Sequence, residues 1–99
     1  MSDKYILDGK TPAREPDLLK WGTWFESANR QVAEDMIGDV HISTVFLGLD
    51  HSFGRGPPLL FETMIFGGAH DGYQERCSTW EQAEAMHAEA VAKARSGLS

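Results

Sequence analysis

Seven residues have the side chains and placement for acid–base, metal or phosphate chemistry: Asp50, His51 and Arg55 in one loop, Asp39 and His41 about a tight turn, and His70 with Asp71 in a glycine-rich break. Imidazoles change charge near neutral pH and ligate divalent metals, and carboxylates complete such sites. A guanidinium between two glycines, Gly54-Arg55-Gly56, has the reach and fork geometry for a phosphate or carboxylate. Two strand-like hydrophobic runs decide which of these groups can meet. The loops at 49–58 and 67–72 flank an eight-residue strand, roughly 26 Å long at ~3.3 Å per residue, so Asp50 and His51 cannot share a ligand with His70 and Asp71. The turn Gly38-Asp39 falls at the same end as 67–72, which gathers Asp39, His41, His70 and Asp71 into one neighbourhood suited to a divalent cation or a phosphate. Asp39 and Asp71 are equally well explained as turn formers, and the glycines and Pro57-Pro58 around Arg55 as a shaped connection.

The other candidates lack the context that chemistry requires. No GxGxxG or GxxxxGK[ST] pattern surrounds Arg55, and neither Ser43 nor Ser78 sits in a nucleophile elbow. Cys77 is the only thiol, so it can form neither an internal disulfide nor a multi-cysteine zinc site. Glu62 lies mid-strand, where burial would favour a protonated carboxyl and exposure a pair with Arg76; the pair is expected, because only one sheet face needs helix cover. His87 falls on the apolar side of a helix and reads as a hydrogen-bonded core residue. The expectation is therefore no catalytic residue, no metal and no cofactor.

The elements that position these residues follow from periodicity. Residues 1–14 contain one short apolar run, Tyr5-Ile6-Leu7, and read as an arm or an added edge strand. Glu15-Pro16-Asp17 opens a helix over about 16–29, whose Leu18, Trp21, Phe25 and Ala28 form one stripe. From Arg30 the period changes to two strands joined at Gly38-Asp39, pairing Ile37 with Val40 and Asp35 with Ile42. Ile37, Val40, Ile42 and Phe46 then share one face, and Met36, His41, Val45 and Leu47 the other. Leu59 to Phe66 is a third strand and Tyr73 to Cys77 a short fourth at the edge. A capping box, Ser78 with Glu81 or Thr79 with Gln82, starts a final helix over about 79–96. The resulting class is α+β: a four-stranded antiparallel meander with both helices on one face, in the order α-β-β-β-β-α.

The chain has 99 residues, 41% hydrophobic, enough for one domain and too few for two. Fifteen acidic residues against nine basic ones give a net charge of −6, which repels a nucleic-acid backbone and suits a basic protein surface. The opening run is too short for a signal peptide and no stretch approaches a membrane span, so a cytoplasmic place is expected. Trp24 falls off the main helical stripe. It either widens the buried face of the helix or, with Val45, Leu47, Met64 and Phe66, forms an exposed apolar patch for a partner or a homodimer, and Glu34, Asp35, Glu62 and Glu75 supply acidic groups for the partner surface.

The segment STVFLGLDHSFGRGPPLLFETMIFGGAHDGYQERCSTWEQAEAMH resembles the shared region of small bacteriophage- and prophage-encoded accessory proteins, in which a GLDH loop, a GPPLLFETMIFGG strand and a Y-x-E-R-x-S-T-W-E-x-A helix start recur. The resemblance extends back over the helix from Pro16 to Val32. It implies a mobile-element product working in the bacterial cytoplasm, of a kind often used in counter-defence or host takeover. The expected function is a non-enzymatic inhibitor, anti-CRISPR-like for example, that binds a host protein such as a nucleic-acid-binding defence complex and occupies its basic site. The alternatives are a small-ligand module that sequesters a nucleotide signal and a phage protein with no defence role.

Overall fold

A computed structural model describes residues 3–52, 54 and 56–96. Its elements are β1 (Tyr5–Asp8), β2 (Thr11–Arg14), α1 (Leu18–Ser27), β3 (Gln31–Ile37), β4 (Val40–Phe46), β5 (Phe61–Phe66), β6 (Gln74–Cys77) and α2 (Trp80–Ser96). β3 to β6 form the antiparallel meander in sequence order, so the α+β class and the four-stranded sheet are as the periodicity requires. Gly38 takes φ 59° in the two-residue turn, a backbone that L side chains disfavour, and closes the hairpin with Ile37 opposite Val40 and Asp35 opposite Ile42.

The N-terminal segment differs from expectation. Residues 5–14 form their own two-stranded sheet, β1 with β2, rather than an arm or an edge of the meander. This hairpin is joined to the chain after β4: Tyr5 N–H donates to Gly48 O at 2.8 Å, Asp50 N–H donates to Asp3 O at 3.0 Å, and Lys4 bridges Leu49. The Trp21 indole N–H is shared between Tyr5 O (3.1 Å) and Gly48 O (3.0 Å). Gly48 has φ 78°, and a Cβ there would stand 2.9 Å from the Phe25 ring, so the α1 aromatics lie directly on the backbone.

Helix α1 begins two residues later than the sequence suggests. Asp17, and not Pro16, closes its start: the Asp17 carboxylate accepts from Leu19 and Lys20 N–H while its own backbone is extended. At α2 the Thr79–Gln82 register of the capping box forms, with Thr79 Oγ1 accepting from Gln82 N–H and the Gln82 amide oxygen accepting from Thr79 N–H.

The core lies between α2 and one face of the meander. Alternation along β4 and β5 buries Val40, Ile42, Phe46, Phe61 and Ile65 against Ala83, Met86, Ala90 and Ala94 of α2. The alanines allow the helix backbone close approach to the sheet. α1 reaches the same face at its end through Trp24, whose ring meets Phe46 edge-on at 5.8 Å. Trp24 is thus half-buried beside the core and does not belong to the patch formed by Val45, Leu47, Met64 and Phe66. That second face carries no helix among the described residues.

Candidate functional site

Two polar arrangements stand out, one inside the fold and one on the uncovered sheet face. The internal one spans four elements. Thr44 on β4 and Thr63 on β5 are directly opposed and have no exposed surface, and their hydroxyls meet at 2.5 Å. His87 Nδ1 of α2 lies 2.7 Å from Thr44 Oγ1, and His87 Nε2 lies 2.7 Å from Asp35 Oδ2 on β3. The carboxylate is acceptor-only, so Nε2 carries a proton and donates it. With a neutral ring, Nδ1 then accepts from Thr44, and Thr44 oxygen accepts from Thr63: each buried side-chain polar atom of Thr63, Thr44 and His87 has a partner. The order matches that of a nucleophile–base–acid triad, but a hydroxyl with no exposed surface cannot meet a substrate carbon at the ~3 Å that attack requires. The arrangement ties β3, β4, β5 and α2 together, and His87 is the hydrogen-bonded core residue its position on the helix implies.

The second arrangement occupies the open face. Met36, His41 and Phe66 form a row across three adjacent strands, with the imidazole stacked on the Phe66 ring at 5.7 Å. Met36 is 62% exposed and Phe66 44%. Beside the row, Glu34 accepts from His41 Nε2 at 2.8 Å and from Gln31, which also reaches Ser43. The hydrogen bonds from His41 and Gln31 hold the Glu34 carboxyl below its ordinary value. Farther along the face, Glu62 accepts from Arg76 Nε at 2.9 Å and from Gln74, the pairing expected of an acid on this side.

The turn and the glycine-rich loop meet, but no metal-holding group forms there among the described residues. The turn at 39 and the loop at 67–72 are adjacent, since a Cβ on Gly67 would touch Asp39 O, but their side chains serve local structure. Asp71 accepts from Gly67 N–H at 2.6 Å, and His41 is engaged by Glu34 and Phe66. Among the described residues no hydrogen bond joins the Asp39 or His70 side chain to the other members, and no group of three metal-ligating side chains occurs. Asp50 is likewise a loop staple: it accepts from Ser52 N–H at 2.8 Å and from Leu59 N–H at 2.9 Å. Burial pushes its carboxyl up, and these bonds with the neighbouring His51 outweigh that, leaving it below its ordinary value. His51 donates its backbone N–H to Leu59 O, closing the same loop, and Arg55 lies outside the described residues.

The residues assigned to a partner surface also separate. Glu34 and Glu62 share the open face; Asp35 points to the other side and holds His87; Glu75 on β6 accepts from the Tyr73 hydroxyl. Cys77 is half-buried, and burial raises its thiol above the ordinary value, which disfavours the reactive thiolate. Sequence reasoning missed Thr44 and Thr63. Their signal was present: inward polar positions at matching places on two neighbouring strands, beneath a histidine on the covering helix.

No family model, no curated protein and no solved structure matches the chain. No helix among the described residues is long and apolar enough to cross a membrane.

Proposed function

We propose that the chain is a non-enzymatic binding protein that engages a partner protein through the open face of its sheet. One observation carries this reading: the solvent-facing row Met36–His41–Phe66, with the anchored carboxylate Glu34 beside it and Glu62 farther along the same face. Exposed apolar side chains at the centre with fixed charges around them have the arrangement of a protein interface. The carboxylates are pre-oriented by hydrogen bonds, so less side-chain freedom is lost on docking. The net charge of −6 favours a basic partner surface, and the resemblance to phage and prophage products supports a host protein whose basic, nucleic-acid-holding site is blocked.

The experiment is affinity capture from a bacterial host lysate, followed by binding measurements on the purified partner. Phe66→Glu is expected to weaken the complex at least tenfold, and added salt to weaken it further. Equal affinity for Phe66→Glu and for Glu34→Lys would overturn the assignment of this face. A thermal-shift screen against nucleotides and divalent metals addresses the small-ligand alternative, for which the expected result is no change in Tm.

A further inference from the structure

Strand β3 ends the meander on one side, so its outer edge has no strand partner among the described residues. Two-residue closure makes Ile37 and Val40 a hydrogen-bonded pair, and alternation makes Asp35 and Ile42 the next. The intervening residues, Met36 and Glu34, therefore turn their backbone N–H and C=O groups away from β4, toward the free edge. Exposed edges of this kind pair with extended chains unless something opposes it.

Here the opposing device is selective. Glu34 and Asp35 are consecutive, one on each face, so a second copy of β3 laid antiparallel would bring like charges together. A basic guest would meet opposite charges instead. Beside the same edge, helix α2 overhangs and forms an open groove of about 400 Å³ with Asp35, Glu84, Ala88, Val91 and Arg95 on its walls. Ala88 and Val91 offer an apolar track for the methylene stem of a long side chain, and Asp35 and Glu84 offer two carboxylates for its charged head against the single guanidinium of Arg95. Asp35 is held by His87, so one wall is fixed in place.

We infer that the β3 edge accepts an extended, lysine- or arginine-rich segment of a partner protein as a fifth strand, with alternate basic side chains lying in the groove between β3 and α2. Main-chain hydrogen bonds to Glu34 and Met36 set the register, and the groove selects charge. This rests on the reading of the chain as a protein binder and specifies the partner's chemistry, a basic strand.

The test uses the whole chain and three synthetic peptides with blocked ends: alternating Lys-Val, alternating Glu-Val, and Lys-Val with every second backbone nitrogen methylated. The Lys-Val peptide is expected to bind, to slow amide exchange at Glu34 and Met36, and to lose roughly fivefold in affinity with Glu84→Lys. The Glu-Val peptide is expected not to bind, and the methylated peptide to lose at least about tenfold, since its charges remain and its edge donors do not. Absence of Lys-Val binding overturns the inference, as does equal affinity of the methylated peptide or protection confined to the opposite face. A dimer that protects Glu34 and Met36 without any peptide overturns it in favour of a second copy. None of these outcomes depends on Phe66, so they leave the open-face reading to its own experiment.

Discussion

At the scale of single residues the fold depends on a polar line through an apolar core. Thr44, Thr63 and His87 are all buried, and each exists there because the next supplies its hydrogen bond. Removing one member leaves its neighbours desolvated and unpaired. Thr44→Val is expected to destabilise by about 1–3 kcal/mol in urea unfolding, because it strands both Thr63 and His87 Nδ1. Thr44→Val with Thr63→Val is expected to cost less than the two single changes added together, since it removes an orphan along with its partner. Strict additivity would show that the hydroxyls act independently.

A second residue-scale test concerns Tyr73, whose hydroxyl donates to Glu75; that hydrogen bond, with burial and the Glu75 and Glu89 charges, raises its pKa to about 12 from 10.0. The folded state holds this proton more tightly than the unfolded chain. Its contribution to stability is therefore complete below the ordinary value and lost as pH rises through about 12. Glu75→Gln should move the tyrosinate absorbance transition of Tyr73 back toward 10.0. A transition unmoved by that substitution would break the link to Glu75.

At the scale of elements, backbone geometry decides what a substitution does. Gly38 and Gly48 both have positive φ, but a Cβ on Gly38 meets open space and one on Gly48 meets the Phe25 ring. Gly38→Ala should cost roughly 1–2 kcal/mol from the left-handed backbone alone. Gly48→Ala should exceed it by about 1–3 kcal/mol, because the α1 aromatics must also move. Chemical denaturation of both variants checks the difference. The same contrast explains what the sequence made legible. The β3–β4 register and the α2 start were readable because Gly38-Asp39 and Thr79–Gln82 are local signals, each complete within four residues. The β1–β2 hairpin was not, because Pro12 interrupts a strand of only four residues and its stability comes from the distant Gly48 and Trp21. The candidate ligand residues show the same division: topology brings the turn and the loop together, while local hydrogen bonds engage Asp71 and His41. The internal relay joins residues up to 52 positions apart, which no short-range pattern encodes.

At the scale of the whole molecule, the shape follows from having one covering helix for a four-stranded sheet. The shortest dimension is 21 Å, about the thickness of one helix layer on one sheet, and the far face remains open. Substitutions there should separate binding from stability. Phe66→Ser is expected to shift unfolding by less than about 0.5 kcal/mol while weakening the partner complex. Ile65→Ala, one residue away and fully buried, should cost about 2–5 kcal/mol. Thermal unfolding and partner titration of both proteins check the contrast, and a Phe66→Ser chain as unstable as Ile65→Ala would assign that ring to the core.

The indole of Trp21 that grips two carbonyls also makes the molecule report on itself. Trp24 and Trp80 lie edge-on to Phe46 and Phe61, whereas Trp21 fastens the amino-terminal hairpin to the turn after β4. If that fastening loosens ahead of the interior, one third of the fluorophores becomes hydrated first. A red-shifted emission component would then precede loss of the helical circular-dichroism signal on mild warming, making fraying visible without any label.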